Sequence, residues 1–361
     1  MILLKMLPAS FGDCLLLAYG EDEPTHHLLI DAGLKGTFDK VLKPLLKMPG
    51  QLASLDLVVV THLDRDHICG MLPLVEQMPD SVQPFDIWFN GYGHLVGDQL
   101  GTNDAEVLEK LLIRKALPWN EHFSRHAVVI PTNAKSEVDL PRCKLPGEAT
   151  ITLLSPYWEQ LTALAEAWES DELGSWDAGP DEEQMEGEPD DILGKRPPLS
   201  GIDVNTVLEL AGTSVEEDTA APNGSSIAFV FEFGGKRILF GADAHPGVLL
   251  KSLELLAPGD KPYRVDAFKI PHHGSMNNLS PELLRKLDCP RFLVSTNGSS
   301  FGHPHPEAIA RILTLSIPRE LCFNYRSEYT ELWEDKSVRE HFGDYKAVLP
   351  PAGREGYELE L

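Results

Sequence analysis

The sequence predicts an α/β sandwich whose two β-rich halves share one edge that carries a polar site. Strand-like and helix-like segments alternate along both halves of the chain. Apolar runs in each half end abruptly in groups of His and Asp residues. Because these groups follow strand ends in both halves, we expect them to converge along the same edge.

The first half begins with apolar runs that predict strands at residues 2–7, 14–19, 27–31, 57–60 and 86–90. Helical spacing of apolar residues predicts amphipathic helices at 38–47 and 104–117. The second half has the same alternation. Its predicted strands lie at 150–154, 226–233, 237–240, 267–270 and 292–295, and its predicted helices lie at 157–168, 281–287 and 306–315.

The composition sets outer bounds on the class of protein. A length of 361 residues with 42% hydrophobic content allows one large domain or two modest ones. The apolar run at the start is interrupted by Lys5 and Asp13, so it predicts neither a signal peptide nor a membrane span. Five scattered cysteines predict no disulfide framework, and we therefore expect a cytoplasmic protein with no membrane partner.

The net charge of −25 is unevenly distributed along the chain. Residues 145–194 contain no Lys or Arg, while 12 acidic residues fall between Glu166 and Asp191. The stretch 169–222 is also rich in Gly, Pro and Ser, which predicts a flexible acidic insertion. The overall charge disfavours unassisted binding to a polyanion, but basic residues gather elsewhere and form local positive patches.

Four candidate metal ligands follow the buried strand at 57–60, namely His62, Asp64, Asp66 and His67. Helix capping would use one or two such residues. Four groups this close together would repel and desolvate one another without a cation. The pattern therefore predicts a metal site.

This stretch resembles the His-x-His-x-Asp-His signature of the metallo-β-lactamase superfamily, with Asp64 where the second His usually stands. Three other segments resemble that family's motifs in the same order: His27-Leu-Leu-Ile-Asp31-Ala-Gly33, Lys236-Arg-Ile-Leu-Phe-Gly-Ala-Asp243 and Phe268-Lys-Ile-Pro-His272-His273-Gly-Ser275. The resemblance implies one αββα domain over residues 1–361, with two mixed β-sheets flanked by helices and an insertion at about 169–222.

The His-His-Gly-Ser form is similar to a subgroup that contains the hydrolase domain of DNA-uptake competence proteins (ComEC-like) and phosphorylcholine esterases. Three further segments fit that subgroup: Phe11-Gly-Asp13-Cys, Asn223-Gly-Ser-Ser226 and His303-Pro-His305-Pro-Glu307. The resemblance extends over most of residues 1–325, with a poor match between about 95 and 220.

The resemblance implies a site for two divalent ions. His62 and Asp64 are two residues apart and are expected to hold one ion, while Asp66 and His67 serve the second. Asp243 is expected to bridge the two ions, because a carboxylate has two oxygens to share. The adjacent histidines of the last motif cannot easily face the same ion.

We therefore predict that His273 closes the second site and that His272 contacts the phosphate or the leaving group. Asp66, His272 and Asp31 are the candidate catalytic residues, with a turn cap as the alternative role for Asp31. The third-motif ligand of the first ion is less clear in the sequence; His94 is the best candidate, and Asn90 is a substitute.

The carboxylate-rich ligand set makes the site hard, which shifts preference from Zn²⁺ toward Mn²⁺ or Mg²⁺, although the histidines keep Zn²⁺ open. The implied function is a phosphodiesterase, foremost a nuclease acting on DNA or RNA through a hydroxide held by two metals. The alternatives are hydrolysis of a small ester, lactone or phosphorylcholine-type substrate, and a regulatory binding module with a degenerate site.

The acidic insertion suggests a regulatory hypothesis. Carboxylates placed over a metal-lined groove would mimic phosphates and repel substrate until an activating protease or another regulatory partner cleaved or displaced them. The alternative is a solvated surface loop that contributes only to solubility.

Overall fold

A computed structural model describes residues 1–47, 55–79, 82, 84–95, 103–131, 138–170, 195–316, 319–343 and 345–361. Within these residues the strands are β1 (Ile2–Met6), β2 (Leu15–Tyr19), β3 (His26–Ile30), β4 (Leu55–Val59), β5 (Pro84–Trp88), β6 (Arg142–Lys144), β7 (Thr150–Ser155), β8 (Ala228–Phe233), β9 (Lys236–Phe240), β10 (Tyr263–Arg264), β11 (Ala267–Lys269), β12 (Leu287–Asp288), β13 (Arg291–Val294), β14 (Glu320–Phe323), β15 (Lys346–Val348) and β16 (Tyr357–Glu360).

The α-helices of the same residues are α1 (Lys35–Thr37), α2 (Lys43–Lys47), α3 (Arg65–Ile68), α4 (Met71–Gln77), α5 (Tyr92–Leu95), α6 (Asp104–Arg114), α7 (Trp158–Glu169), α8 (Val204–Ala211), α9 (Ala221–Gly224), α10 (Pro246–Leu256), α11 (Pro281–Arg285), α12 (Pro306–Leu313) and α13 (Lys336–His341). A π-helical turn joins α1 to α2, and short 3₁₀ turns occur at Glu121–Phe123, Pro146–Glu148, His272–Gly274 and Glu331–Glu334.

The first sheet has six strands in the order β16-β1-β2-β3-β4-β5. Strands β16 to β3 pair antiparallel, whereas β3, β4 and β5 run parallel. Strand β4 is buried along its length because both of its faces are covered. Leu57 and Val59 belong to the core between the sheets, and Val58 belongs to a second core beneath α4 and α6.

The second sheet has eight strands in the order β15-β14-β13-β11-β9-β8-β7-β6. Strands β15 to β9 are parallel, and β9 to β6 are antiparallel. Helices α10, α11 and α12 pack their apolar residues into the same core as this sheet. The layers therefore run helix, sheet, sheet, helix, and the predicted αββα sandwich is confirmed.

Aromatic side chains hold the two sheets together. Phe229 on β8 is fully buried, and its ring lies 6.4 Å from that of Trp88 on β5 and 5.2 Å from that of Phe240 on β9. Trp88 belongs to the first sheet, whereas Phe229 and Phe240 belong to the second. This cluster removes a large apolar area from water at the point where the two sheets meet.

The structure differs from the sequence-based prediction over residues 169–222. Residues 171–194, which hold most of the acidic run, lie outside the described residues, so the proposed restraint of the enzyme stays a prediction. Residues 195–222, by contrast, contain α8 and α9, and Val207 of α8 is fully buried against α12. The prediction of a flexible insertion was therefore wrong for residues 195–222. The neighbouring Gly, Pro and acidic residues had concealed a short amphipathic helix.

Helix α10 and the C-terminal strands β14, β15 and β16 were not predicted from the sequence. The short strands β14 to β16 become strands by pairing with distant partners, as β16 does with β1. Among the described helices, none has both the length and the apolar character needed to cross a bilayer.

Phe229→Ala should lower the free energy of unfolding by about 3–5 kcal/mol, because it opens a cavity between the sheets. The matched control is Phe85→Ala, since Phe85 is 69% exposed on an edge strand; we expect its effect to stay within about 0.5 kcal/mol. Urea unfolding followed by circular dichroism measures both values. Similar losses for the two variants would contradict the placement of Phe229.

Candidate metal centre

The candidate ligands lie on loops that follow parallel strands. Asp31 follows β3, His62 follows β4, Asp243 follows β9 and His273 follows β11. The carboxyl ends of the parallel strands in both sheets therefore meet at one edge of the sandwich, as ligand-binding loops of parallel sheets commonly do. The backbone amide of Ile227 donates to the carbonyl of Thr61 at 2.9 Å and joins the two sheets beside the site.

Hydrogen bonds fix the orientation of His62 and His67. The Asp31 carboxylate accepts the backbone N–H of Thr61 at 2.8 Å and the Thr61 hydroxyl at 2.7 Å. It also accepts the Nδ1–H of His67 at 2.8 Å. Thr61 Oγ1 in turn accepts the Nδ1–H of His62 at 3.0 Å. One buried carboxylate thus sets the tautomer of two imidazoles and turns both Nε2 atoms toward the centre of the site.

The two later histidines are held in the same way. His273 donates its Nδ1–H to the carbonyl of Ser295 at 2.9 Å, and His272 donates its Nδ1–H to Oδ1 of Asn278 at 3.0 Å. All four imidazoles therefore direct Nε2 into the site. Such orienting partners are the arrangement that metal-binding histidines require.

The four Nε2 atoms surround one carboxylate oxygen, Oδ2 of Asp243. The distances from this oxygen are 3.9 Å to His62, 3.6 Å to His67, 3.8 Å to His272 and 3.8 Å to His273. These separations exceed hydrogen-bonding distance. Two atoms that share one ion at about 2.1 Å in a tetrahedral arrangement are about 3.4 Å apart, so the spacing is that of ligands around a cation.

Two further carboxylates complete two neighbouring ligand groups. Oδ2 of Asp64 lies 3.6 Å from Nε2 of His62. Oδ2 of Asp66 lies 3.2 Å from Nε2 of His273 and 3.8 Å from that of His67. The ligand atoms of His62, His67 and Asp243 form one close group, and those of Asp66, His67 and His273 form a second, so the two groups share His67. Asp64 adjoins the first group through His62, and Oδ2 of Asp243 lies within 3.9 Å of the histidines of both.

Unsatisfied buried atoms also fit a cation. Nε2 of His62 and Oδ1 of Asp243 are buried and make no hydrogen bond to any described residue. Leaving such atoms unpaired costs about 1–3 kcal/mol each, and more for a charged group. The His and carboxylate donors suit Mn²⁺ or Zn²⁺, and a divalent ion would satisfy both atoms at once.

The cluster has strongly perturbed acid–base properties in the absence of a cation. Burial disfavours charge on His67, but Asp243, Asp66 and Asp31 outweigh it and raise its pKa well above the usual value. Burial likewise opposes ionisation of Asp243, yet His67, His272 and His273 hold its pKa well below the usual range. The pKa of His273 rises to about 10, because the nearby carboxylates of Asp13 and Asp243 more than offset its burial.

The backbone at the site is strained. Asp31, Ala242, His272 and His273 all have a positive φ, between 47° and 57°. Each such residue costs about 1–3 kcal/mol and persists where the surrounding structure requires it. Gly12 permits the backbone of its loop to lie against that of Asp66, since a Cβ at this position would lie 2.0 Å from the carbonyl oxygen of Asp66.

A buried ion pair lies behind His273. Nζ of Lys269 is 2.7 Å from Oδ2 of Asp13, and both side chains are almost fully buried. Oδ1 of Asp13 lies 3.6 Å from Nδ1 of His273. The sequence showed Asp13 within a motif of the resembled subgroup but gave no signal for Lys269, because their pairing joins distant parts of the chain.

A second unpredicted residue, Asp218, supports His272. Oδ2 of Asp218 lies 3.4 Å from Nδ1 of His272 and accepts hydrogen bonds from Asn223 at 2.7 Å and Asn278 at 2.9 Å. Asn278 also donates to the backbone carbonyl of Asp243 at 3.2 Å. Asp218 lies in the stretch that the sequence suggested was flexible, so its role was concealed.

Three predicted site residues have other positions or roles. The ring of His94 packs against Trp119 with centroids 4.2 Å apart, and burial lowers its pKa to about 4; it belongs to none of the ligand groups formed by the described residues. Asn90 exchanges two hydrogen bonds with the backbone of Val128. Asp31 contacts Thr61 and His67, does not line the cavity, and forms a third close group with Asp13 and His67.

A cavity of about 340 Å³ opens onto the cluster. Its described lining consists of Phe11, Leu34, Asp64, Arg65, Asp66, Asp218, Ala220, Asn223, Asp243, His272, His273, Ser300, Phe301 and His303. A volume of this size matches small-molecule sites. Both ligand groups contribute residues to its wall, so a molecule in the cavity contacts them directly.

Comparison with known proteins found one matching family model and several distantly similar solved structures. Residues 7–86 match the family model described as "Metallo-beta-lactamase superfamily". No match occurs among curated proteins. Similar solved structures include Zn²⁺-bound PqqB from Methylobacterium extorquens, at 13% identity, with 100% of both chains covered and a TM-score of 0.45.

Two other similar structures are unliganded yeast PDE1 and a diphosphatase of the PhnP family. The first is 13% identical, covering 100% of this chain and 99% of the other with a TM-score of 0.42. The second is also 13% identical, covering 100% and 98% with a TM-score of 0.39. Likenesses this distant carry no information on substrate, and the competence-hydrolase subgroup stays a prediction. The chain thus folds as an αββα sandwich, and its residues 7–86 carry the sequence signature of the metallo-β-lactamase superfamily.

Proposed function

We propose that this protein is a metal-dependent phosphodiesterase that acts on nucleic acid. The observation that supports the proposal most directly is the convergence of four oriented imidazoles and three carboxylates, of which Asp64, Asp66, Asp243, His272 and His273 line one cavity. Two divalent ions bound there would polarise a phosphate ester and lower the pKa of a water molecule toward neutrality. The fold is that of metallo-hydrolases, which agrees with this chemistry.

The residues of the site would have three roles. His62, Asp64, Asp66, His67, Asp243 and His273 would hold the ions. Asp31 orients two of these ligands through Thr61 and through its own hydrogen bond to His67. His272 lines the cavity and is held by Asn278 and Asp218, so it is positioned to contact a phosphate oxygen or to protonate a leaving group.

The size and charge of the cavity restrict the kind of nucleic acid. Arg65 is the one Lys or Arg side chain in the described lining, which also contains four aspartates. A duplex is bound through many neutralised phosphates, which this surface does not offer. The geometry therefore favours a single-stranded end or a short oligonucleotide. The cavity volume also favours a second candidate, hydrolysis of a small phosphodiester outside nucleic acids.

The test of the proposal is incubation of the protein with labelled single- and double-stranded DNA and RNA and with bis(4-nitrophenyl) phosphate, under Mn²⁺, Mg²⁺ and Zn²⁺ in turn. We expect cleavage of single strands and of the small diester, fastest with Mn²⁺. Cleavage of the small diester alone would favour the second candidate. Inactivity toward every substrate, with two metals bound, would refute the phosphodiesterase.

Asp243→Asn should reduce the metal content from two ions per chain to one or none and bring hydrolysis to background, because one carboxylate lies between both ligand groups. Asp260→Asn is the matched control, since Asp260 is exposed and remote from the ligand groups. Elemental analysis and diester hydrolysis measure the two effects. Full metal content and retained turnover in Asp243→Asn would show that the carboxylate does not bridge.

Metal binding should release protons, and the affinity should rise with pH. His273 is protonated in the metal-free protein below its pKa of about 10, so an incoming cation must displace that proton at neutral pH. Calorimetric titration of Mn²⁺ in two buffers with different ionisation enthalpies measures the number of protons released. An affinity that stays constant between pH 6 and pH 8, without proton release, would contradict this assignment.

His272→Ala should lower kcat by about 10²–10⁴-fold while leaving two ions bound, as expected for a group that transfers a proton. Asp218→Asn should lower kcat by a smaller factor, about tenfold, because it only loosens the position of His272. Turnover and metal content are measured on the same preparations. If His272→Ala loses an ion in parallel with its activity, His272 is a ligand rather than a substrate contact.

A further inference from the structure

We propose that Phe301 and Phe11 form a platform on which a nucleobase stacks while its phosphate lies at the ligand cluster. This inference rests on the proposed function, which it extends from the phosphate to the group attached to it. Both aromatic residues line the cavity together with Asp243, His272 and His273. They come from two separate loops, one between β1 and β2 and one between β13 and α12.

Phe301 is unusual in its exposure and in its backbone. Its side chain is 48% exposed, although most large apolar residues of the described chain are buried. Its φ is +53°, a region that suits Gly or Asn far better than a bulky aromatic residue. Exposing a phenyl ring and straining its backbone are both unfavourable in the free protein. A planar apolar group that covers the ring would recover the first of these costs.

Neighbouring contacts fix the loop that presents Phe301. Its carbonyl accepts the backbone N–H of Arg196 at 3.3 Å, and the Tyr329 hydroxyl donates to the carbonyl of Arg196 at 3.0 Å. Arg196 itself forms a bidentate pair with the buried Glu307, at 2.8 and 3.1 Å. A Cβ on Gly302 would lie 2.4 Å from the Arg196 carbonyl, so this glycine permits the close contact. The ring is thus preorganised, which reduces the entropy cost of stacking.

The order of groups along the cavity wall follows that of a nucleotide. The ring of His303 lies between Phe301 and the cluster, with centroids 5.9 Å from Phe301, 5.2 Å from His272 and 6.2 Å from His273. In a nucleotide, the ribose similarly separates the base from the phosphate. Every base offers a π-face, so stacking on phenylalanine would bind nucleic acid without selecting a sequence. It would also compensate for the scarcity of cationic side chains in this cavity.

The test compares two esters with the same leaving group, the 4-nitrophenyl ester of thymidine 5′-monophosphate and methyl 4-nitrophenyl phosphate. Phe301→Ala should raise the KM about tenfold for the nucleoside ester, as expected for the loss of one base stack, and change it less than twofold for the methyl ester. Phe301→Trp should keep the KM for the nucleoside ester near the wild-type value, whereas Phe301→Leu should not. Phe85→Ala, which alters another exposed phenylalanine, should change neither.

A binding measurement separates this inference from the proposed function. Both thymidine 5′-monophosphate and ribose 5-phosphate are sugar 5-phosphates. Ribose 5-phosphate has a hydroxyl group in place of the base and an additional 2-hydroxyl group. Calorimetry on the metal-loaded protein should show that Phe301→Ala lowers the affinity for the nucleotide about tenfold and leaves the affinity for ribose 5-phosphate unchanged. If the wild-type protein cleaves neither ester but Phe301→Ala still weakens nucleotide binding selectively, the proposed phosphodiesterase activity is refuted and the stacking platform is supported. The platform would be overturned if Phe301→Ala weakened the binding of both phosphates equally or of neither. With choline phosphate as a third ligand, weaker binding of choline phosphate and unchanged binding of the nucleotide would also overturn it.

Discussion

Four imidazole nitrogens directed at one carboxylate oxygen form the arrangement on which the rest of this structure depends. Each Nδ1 already has its own acceptor, so none of the four rings can turn away without losing a hydrogen bond. The left-handed backbone at Asp31, Ala242, His272 and His273 serves to aim these groups. Such strain is tolerated because the two sheets fix the strand ends from which the loops emerge. The core of aromatic residues between the sheets therefore determines the geometry of the site as much as the ligands do.

The balance of charge around the cluster explains how an acidic protein can accept an anionic substrate. The charge of Asp13 is compensated by buried Lys269, and two divalent ions would compensate four of the remaining carboxylates, namely Asp31, Asp64, Asp66 and Asp243, while Asp218 lies beside His272. With its ions bound, the centre is close to neutral although the whole chain has a formal charge of −25. Substrate selection then depends on short-range contacts inside the cavity rather than on attraction over a distance.

The sequence was informative where ligands lie close together along the chain. His62, Asp64, Asp66 and His67 could be identified as one group because an apolar strand precedes them, and the structure brings them together with Asp243 and His273. The sequence could not show that His94 lies in α5 and stacks on Trp119, because a histidine shortly after a strand end looks the same whether it faces an ion or a ring. Asp218 and Lys269 escaped notice since their partners are distant in sequence. Local composition also concealed α8, which is capped by Asp203 and packs on α12.

The pairing of Arg196 with Glu307 has an evolutionary consequence. It anchors the chain just after residue 194, and α7 anchors it before residue 171, so that stretch leaves and re-enters the described fold at ordered elements. Insertions, deletions or even a whole added module could therefore accumulate in that stretch while Asp218 keeps its place beside His272. Natural variation and protein engineering could both act between these two anchors without displacing the residues that support His272.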